Sequence, residues 1–320
     1  MDKNYTVAVL AGDGIGKEVM PEALKIVKKL AEIYDYKIDF KEALVGLGAY
    51  RKFNNPLPPE TLEICKKADA VFKAPVGDDK NDKAPAGMVE KSIIGLRVLL
   101  DLYANLRPAK VYKGFEYLSP LKPEKVKGMD LMVVRENVSG IYPNRARFEP
   151  GEIADYGQDT MIYSRRDVHR IARVAYELAS QRRKKVTIVA KKNVLASSRA
   201  FDLYAREIAK DYPGVETNYQ HIDAMTIYMM SKPASFDIIL TTNMFGDILS
   251  DQASGVMGSL GLAWSSNIGE KNIMYECVGG SAPDIAGKNL ANPVAAILTA
   301  EMMLRHLGYK QNADMIDRAV

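Results

Sequence analysis

The sequence predicts a layered α/β protein with parallel strands. Strand-like and helix-like patterns alternate from the N-terminus, as expected of strands joined by helical crossovers. The apolar runs are short, β-branched and bounded by turn residues, which fits buried strands. With 320 residues, 47% hydrophobic and 26% charged, the chain can build two domains or one large unit around a substantial core.

In order, the strand-like "TVAVLAG" (6–12) precedes an amphipathic helical stretch, "KEVMPEALKIVKKLAEIY" (17–34). Next come the strand "KIDFKEAL" (37–44), the helix "PETLEICKKA" (59–68) and the strand "DAVFKAPVG" (69–77). The segment "SIIGLRVLLDLYANLRP" (92–108) reads as helical throughout, and "DLMVVRENVSGIYP" (130–143) as a strand and turn. Residues 146–164 are Tyr-rich and punctuated by Gly and Pro, which predicts an arm or hairpin rather than a core element. Beyond it lie a long helix (165–182), the strand "KVTIVAK" (185–191), a helix over 199–210 and the strand "FDIILTT" (236–242). Turn-rich stretches at 258–269 and 278–293 precede a final helix, "VAAILTAEMMLRHLG" (294–308).

A net charge of +4 is too small to imply nucleic acid. The densest basic run, "RRKK" (182–185), closes a helix, where cations complement the dipole. Two cysteines, Cys65 and Cys277, have no metal-ligand spacing and predict free thiols in a reducing compartment. The chain passes from "MDKNY" straight into a strand with no leader pattern, and no apolar run nears the ~20 residues that span a bilayer. A soluble cytoplasmic protein, without membrane or nucleic-acid partners, is the expectation.

The loop "AGDGIGKEV" (11–19) lies between a strand and a helix, but its glycines fall at 12, 14 and 16. That is neither the G-x-G-x-x-G dinucleotide fingerprint nor a P-loop. A tight turn needing positive φ accounts for it, and a Rossmann domain is not expected.

Other residues carry chemistry. Arg97 and Arg107 flank "DLYANL", and Arg135 ends the strand "DLMVV"; guanidinium forks match carboxylates bidentately, though each alone suits a structural ion pair. Lys191 ends a strand and Tyr142 follows another, where α/β proteins place ligands, and either can move protons if its pKa is lowered. In "NMFGDILSD" (243–251), Asp247 and Asp251 stand four apart at the start of a helix. Capping and dipole effects account well for Asp247 and less well for Asp251; a shared cation is the other reading.

Taken together, "LAGDGIGKEV", "LRVLLDLYANLRP", "VVRENVSGIY", "KKNVL", "IDAM", "TTNMFGDILSDQASG" and "GGSAPDIAGKNLANP" resemble, in that order, the isocitrate/isopropylmalate (β-decarboxylating) dehydrogenase family. The match spans nearly the whole chain. It implies that family's α/β fold, which is not a Rossmann fold, with two domains and a central cleft. It also implies domains of 1–103 with 258–320 and of 104–257, an arm near 146–164, and a homodimer (or tetramer) sharing active sites through the middle domain.

The resemblance implies that Asp247, Asp251 and a neighbouring subunit's Asp223 bind Mg²⁺ or Mn²⁺. Arg97, Arg107 and Arg135 correspond to the substrate-carboxylate clamp. Lys191, donated across the dimer, corresponds to the base that takes the hydroxyl proton through water or Asp223, and Tyr142 to the acid that protonates C3. Glu90, Gly280, Ser281, Ala282, Asp284, Ile285 and Asn292 correspond to the cofactor site, and Asp284 implies NAD because a carboxylate repels a 2′-phosphate. The sequence departs from the family at Gly279, where histidine is common, and stops short of the usual C-terminal strand and helix. Ile93 and Ile94, near the clamp, favour an isopropyl side chain and so 3-isopropylmalate. Lys91 leaves isocitrate or homoisocitrate as alternatives, with tartrate or D-malate behind them. A non-catalytic subunit of a larger dehydrogenase fits less well, since the acid, base and carboxylate set is intact.

Overall fold

A computed structural model describes residues 4–77, 84–85, 87–143 and 159–320. The first elements are β1 (Tyr5–Leu10), α1 (Gly16–Ile33), β2 (Ile38–Glu42), α2 (Leu47–Phe53), α3 (Pro59–Lys67), β3 (Ala70–Lys73) and α4 (Glu90–Leu99). They are followed by β4 (Ala104–Lys110), α5 (Pro123–Val126), β5 (Asp130–Glu136), α6 (Arg165–Ser180), β6 (Lys185–Ala190) and α7 (Ala196–Ala209). Next come β7 (Glu216–His221), α8 (Ile222–Ser231), β8 (Ile238–Thr241) and α9 (Asn243–Met257). The last are β9 (Trp264–Ile268), β10 (Ile273–Cys277), α10 (Val294–His306) and α11 (Lys310–Ala319).

The chain divides into two compact units, one of Met1–Leu102 with Leu260–Val320 and one of Tyr103–Ser259. In the first, strands lie in the order β2-β1-β3-β10-β9. Alternate side chains serve opposite faces, as the two-residue period requires. Val7, Val9, Ala70, Phe72 and Tyr275 join one buried cluster with α1 and α10. Ala8, Leu10, Val71 and Met274 join another with Leu96 of α4 and Leu102. Helix α1 places Val19, Met20, Ala23, Val27 and Leu30 on one buried stripe.

In the second unit the order is β4-β5-β8-β6-β7. Its core strands are continuous apolar runs: Val133 and Val134 on β5, Ile188 and Val189 on β6, and Ile238 to Leu240 on β8, all buried. The amphipathic α6 buries Val168, Ile171, Ala172, Ala175 and Tyr176.

Three expectations need correction. The strands are not all parallel: β4 pairs antiparallel with β5, and β9 with β10. The stretch 92–108 is not one helix, because α4 stops at Leu99 and Asp101 takes φ 47°, so the chain turns into β4. Pro108 sits within that strand, and proline is tolerated in strands far better than inside a helix. The turn-rich stretch 258–269 contains β9, whose Ser266 and Asn267 are buried polar residues that masked the strand pattern. Helix α11 and the pair β7–α8 also lie in segments with no element expected.

Most of the arm expected over 146–164, residues 146–158, lies outside the described residues. Past it, Ile162 bridges Gly140 in both backbone directions, and the buried Tyr163 packs edge-on against Phe201. Both free cysteines are buried, and burial pushes the Cys65 thiol up to about 12 and Cys277 up to about 11. No helix among the described residues is long and apolar enough to cross a membrane.

Candidate active site

The second unit gathers two arginines, two aspartates and a tyrosine. Arg107 on β4 and Arg135 on β5 are brought together with α9, the helix that follows β8. Helix α9 begins at Asn243, with Thr242 as its N-cap, so Asp247 stands in its second turn and caps nothing. The capping reading of Asp247 is therefore wrong, and the two carboxylates share a helix face for another reason.

Arg107 donates through Nη1 to Ser250 Oγ at 2.7 Å and to Asp251 Oδ1 at 3.0 Å, and its Nη2 stands 3.5 Å from Asp247 Oδ1. Its Nε donates to Asn105 Oδ1, two residues back on the same strand face. Arg135 is 1% exposed and donates to Asp247 through Nη1. The Asn243 side-chain oxygen accepts from both its Nε (3.1 Å) and Nη2 (2.8 Å). Asn243 in turn donates to the Ser139 carbonyl, and its own N–H donates to Tyr163. Tyr142 donates to Asp247 Oδ2 at 3.2 Å, with the Arg135 guanidinium 5.7 Å from its ring centre.

The electrostatics follow from this crowding. Partial burial pushes the Asp251 carboxyl up; Arg107 pulls it back and Asp247 adds to the rise. Burial, with the Asp247 charge, also raises the Tyr142 hydroxyl. The lowering considered for a proton-transferring tyrosine is thus reversed, which keeps Tyr142 protonated and suited to be a donor.

Lys191, just past β6, donates to Asp223 Oδ1 at 2.6 Å. Strands β6 and β7 are parallel with Ala190 opposite His221, so their ends bring Lys191 beside the first turn of α8. The hydrogen bond from Lys191 holds the Asp223 carboxyl below its usual range. No three His, Cys, Asp or Glu side chains among the described residues of one chain gather for a metal.

In the first unit, Arg97 on α4 donates to Glu276 Oε1 at 2.8 Å, while its buried Nε has no hydrogen-bond partner among the described residues. Ile93 packs on the adjacent core and Ile94 is half-buried; Glu90 and Lys91 are exposed. The segment 280–292 is mostly exposed apart from buried Ser281. Ala282 takes φ 43°, and its carbonyl accepts from Ile285 and Ala286 N–H, a tight turn that presents Asp284. A left-handed alanine costs about 1 kcal/mol or more, and such strain collects at functional loops. Asn292 caps the next turn by accepting from Val294 N–H.

The glycine loop belongs here too. Gly12 and Gly14 have φ of 69° and 49°. A Cβ on Gly14 would fall 2.1 Å from the Ser281 carbonyl, which accepts from Ile15 N–H. The loop is a tight turn that lets backbone approach backbone.

Sequence reasoning passed over Asn243, Gly246, Ser250, Lys73 and Glu276. A lysine in the apolar run "DAVFKAPVG" and an asparagine opening "NMFGDILSD" were the available signals.

Residues 6–320 match the isocitrate/isopropylmalate dehydrogenase family. The chain is 46% identical to the 3-isopropylmalate dehydrogenase of Aquifex aeolicus, over 99% of this chain and 88% of that protein. It is 47% identical to the enzyme of that name from Thermotoga maritima, over 98% and 89%. Among solved structures, isocitrate dehydrogenase from Methylococcus capsulatus superposes with a TM-score of 0.87 at 35% identity, covering 98% of this chain and 89% of that one. An α/β scaffold of this form, with this degree of likeness along its whole length, makes the chain a member of the isocitrate/isopropylmalate dehydrogenase family and an oxidatively decarboxylating dehydrogenase.

Proposed function

We propose that the chain converts 3-isopropylmalate to 4-methyl-2-oxopentanoate and CO₂, the leucine-biosynthesis reaction, using NAD and Mg²⁺ or Mn²⁺. The observation that carries this is the array of two arginines against two carboxylates on β4, β5 and α9. Such an array is balanced without ligands, and stays balanced when a divalent cation and the two carboxylates of the substrate enter it together.

The donor set fits a hard divalent ion. Asp247 and Asp251 offer carboxylate oxygens from one helix face, with side chains 36% and 57% exposed. The partner subunit would complete the set with its Asp223, since the described residues of one chain bring only this pair together. When bound, the ion acts as a Lewis acid at the C2 oxygen and the nicotinamide accepts hydride.

The chain's own groups bind and move protons. Arg107, Arg135 and Arg97 take the substrate carboxylates. The partner subunit's Lys191, having passed a proton to the partner's Asp223 that it is hydrogen-bonded to, takes the C2 hydroxyl proton at Nζ. After CO₂ leaves, Tyr142 Oη gives its proton to C3. Asp284 receives the ribose hydroxyls of NAD, with Glu90, Gly280, Ser281, Ala282, Ile285 and Asn292 around the cofactor.

The relatives named 3-isopropylmalate dehydrogenase support this substrate, as does Ile94 one turn before Arg97. Exposed Lys91 at the start of α4 favours a second reading, isocitrate or homoisocitrate. Exposed Ile227 and Met230 on α8, with Ile248 on α9, supply an apolar face suited to a second copy of the chain.

The test is NADH formation by purified protein with Mn²⁺ and four acids: 3-isopropylmalate, isocitrate, homoisocitrate and D-malate. The highest kcat/KM is expected for the first, with activity lost in EDTA. A higher kcat/KM for isocitrate or homoisocitrate would hand the substrate to Lys91, and full activity after dialysis against EDTA would remove the metal.

A further inference from the structure

Lys73 is a lysine with a 3% exposed side chain at the end of β3. Lysine is almost never buried unless paired. Its partner is Glu276, directly opposite in the parallel β3–β10 ladder, with Nζ 3.2 Å from Oε2. The other carboxylate oxygen of Glu276 holds Arg97 Nη2 at 2.8 Å. Lys73 Nζ also donates to the Ala74 carbonyl at 3.3 Å. Among the described residues, none of the three side chains has a further ion-pair partner.

Two cations and one carboxylate leave this buried cluster with one net positive charge. The excess matters because of Arg97. One of its nitrogens is engaged with Glu276, and its buried Nε is unmatched. Were Lys73 absent, Glu276 would neutralise Arg97 outright, and an arriving carboxylate would meet a cluster of zero charge. With Lys73 present, Glu276 is shared. Lys73 and Arg97 together keep it ionised against full burial, so it orients Arg97 without cancelling it.

We propose that Lys73 is a positioning residue for anion recognition, a buried counter-cation that offsets Glu276 and leaves Arg97 as a net positive anchor for a substrate carboxylate. The inference rests on the reading of Arg97 as a carboxylate ligand. It assigns the substrate-binding charge partly to a residue that touches no substrate. Lysine at this point serves better than a neutral side chain because its charge acts through a low-dielectric interior, where solvent screens it little.

The experiment is steady-state kinetics with 3-isopropylmalate at saturating NAD and Mn²⁺, on wild type, Lys73→Met, Lys73→Met/Glu276→Gln and Arg97→Gln. Lys73→Met should raise KM about tenfold, while kcat stays within about twofold. The double variant leaves Arg97 as the one charge of the cluster and so restores one net positive charge, so its KM should return to within about threefold of wild type. Arg97→Gln should raise KM more than Lys73→Met does. A raised KM in Arg97→Gln with none in Lys73→Met overturns the proposal. A raised KM in the double variant equal to that of Lys73→Met also overturns it, since packing rather than charge would then be at work. An unchanged KM in Arg97→Gln instead overturns the underlying reading of Arg97. If Lys73→Met does not fold, the double variant decides alone: a KM raised tenfold or more sinks the charge-offset idea.

Discussion

Gly246 lies beneath Arg135: a Cβ built on Gly246 would stand 2.6 Å from Arg135 Cγ and 2.7 Å from its Cβ. The arginine therefore crosses α9 only because that helix has a gap. Gly246→Ala should gain about 1 kcal/mol of helix propensity. The clash is with the stem of a buried side chain, which cannot swing away as a flexible tip could. Displacing Arg135 breaks its pairing with Asn243 and Asp247. The expected outcome is kcat/KM at least ~10-fold lower, with no rise in Tm. A variant with wild-type kinetics would show that Arg135 tolerates the shift.

The same glycine shows what the sequence made legible. "NMFGDILSD" could be read as strand-end chemistry because Asp247 and Asp251 are charged and helically spaced. Gly246 was silent, since its work is to clear space for Arg135, and Asn243, which orients that arginine, offered only its place at the head of the segment. Parallel β/α alternation was legible from periodicity, but the antiparallel pairs β4–β5 and β9–β10 were not. Buried polar residues on β9 and a proline in β4 obscure their strand patterns. Arg97 stood out by its charge, whereas Lys73 and Glu276 lie far apart in the sequence and meet only through strand pairing.

The cofactor role proposed for Asp284 carries a preference between NAD and NADP. It sits on the turn closed by Ala282, in an exposed stretch of the first unit. A carboxylate there accepts from a ribose 2′-hydroxyl and repels a 2′-phosphate. Wild-type kcat/KM should be at least ~10-fold higher with NAD than with NADP, a difference of about 1.4 kcal/mol. Asp284→Asn should narrow that ratio by raising activity with NADP. Equal efficiency with both cofactors in the wild type would show that Asp284 does not face the ribose.

Ile93 and Ile94 divide between stability and specificity. Ile93 packs on the core shared with Leu96, while Ile94 is half-buried outside it. Ile94→Asn should cut the preference for 3-isopropylmalate over D-malate by about 10-fold, because an isopropyl group gains roughly 1.5–3 kcal/mol from apolar burial. Ile93→Asn should instead lower stability by about 1–3 kcal/mol through a polar group set against the core. Substrate panels and urea unfolding of both variants separate the two effects. A larger loss of preference from Ile93→Asn than from Ile94→Asn would reverse the assignment.

Glu136 gives the fold a pH dependence of unusual sign. It follows Arg135 on β5, is fully buried, and accepts from the N–H groups of Val138 and Ser139. Burial pushes its carboxyl up to about 7, against the pull of those donors. An unfolded glutamate titrates near ~4.3, so between there and about pH 7 the folded chain holds a proton that the unfolded chain releases. Its stabilising contribution is therefore complete at low pH and is lost as pH rises through about 7. The full span corresponds to about 4 kcal/mol. His306 works in the other direction, since burial lowers its ring pKa, so the comparison must be with a variant. In urea unfolding at fixed protein concentration, wild type should lose about 1–3 kcal/mol more than Glu136→Gln between pH 5.5 and 8, both conditions set by this titration. Parallel pH curves for the two proteins would place the titration elsewhere.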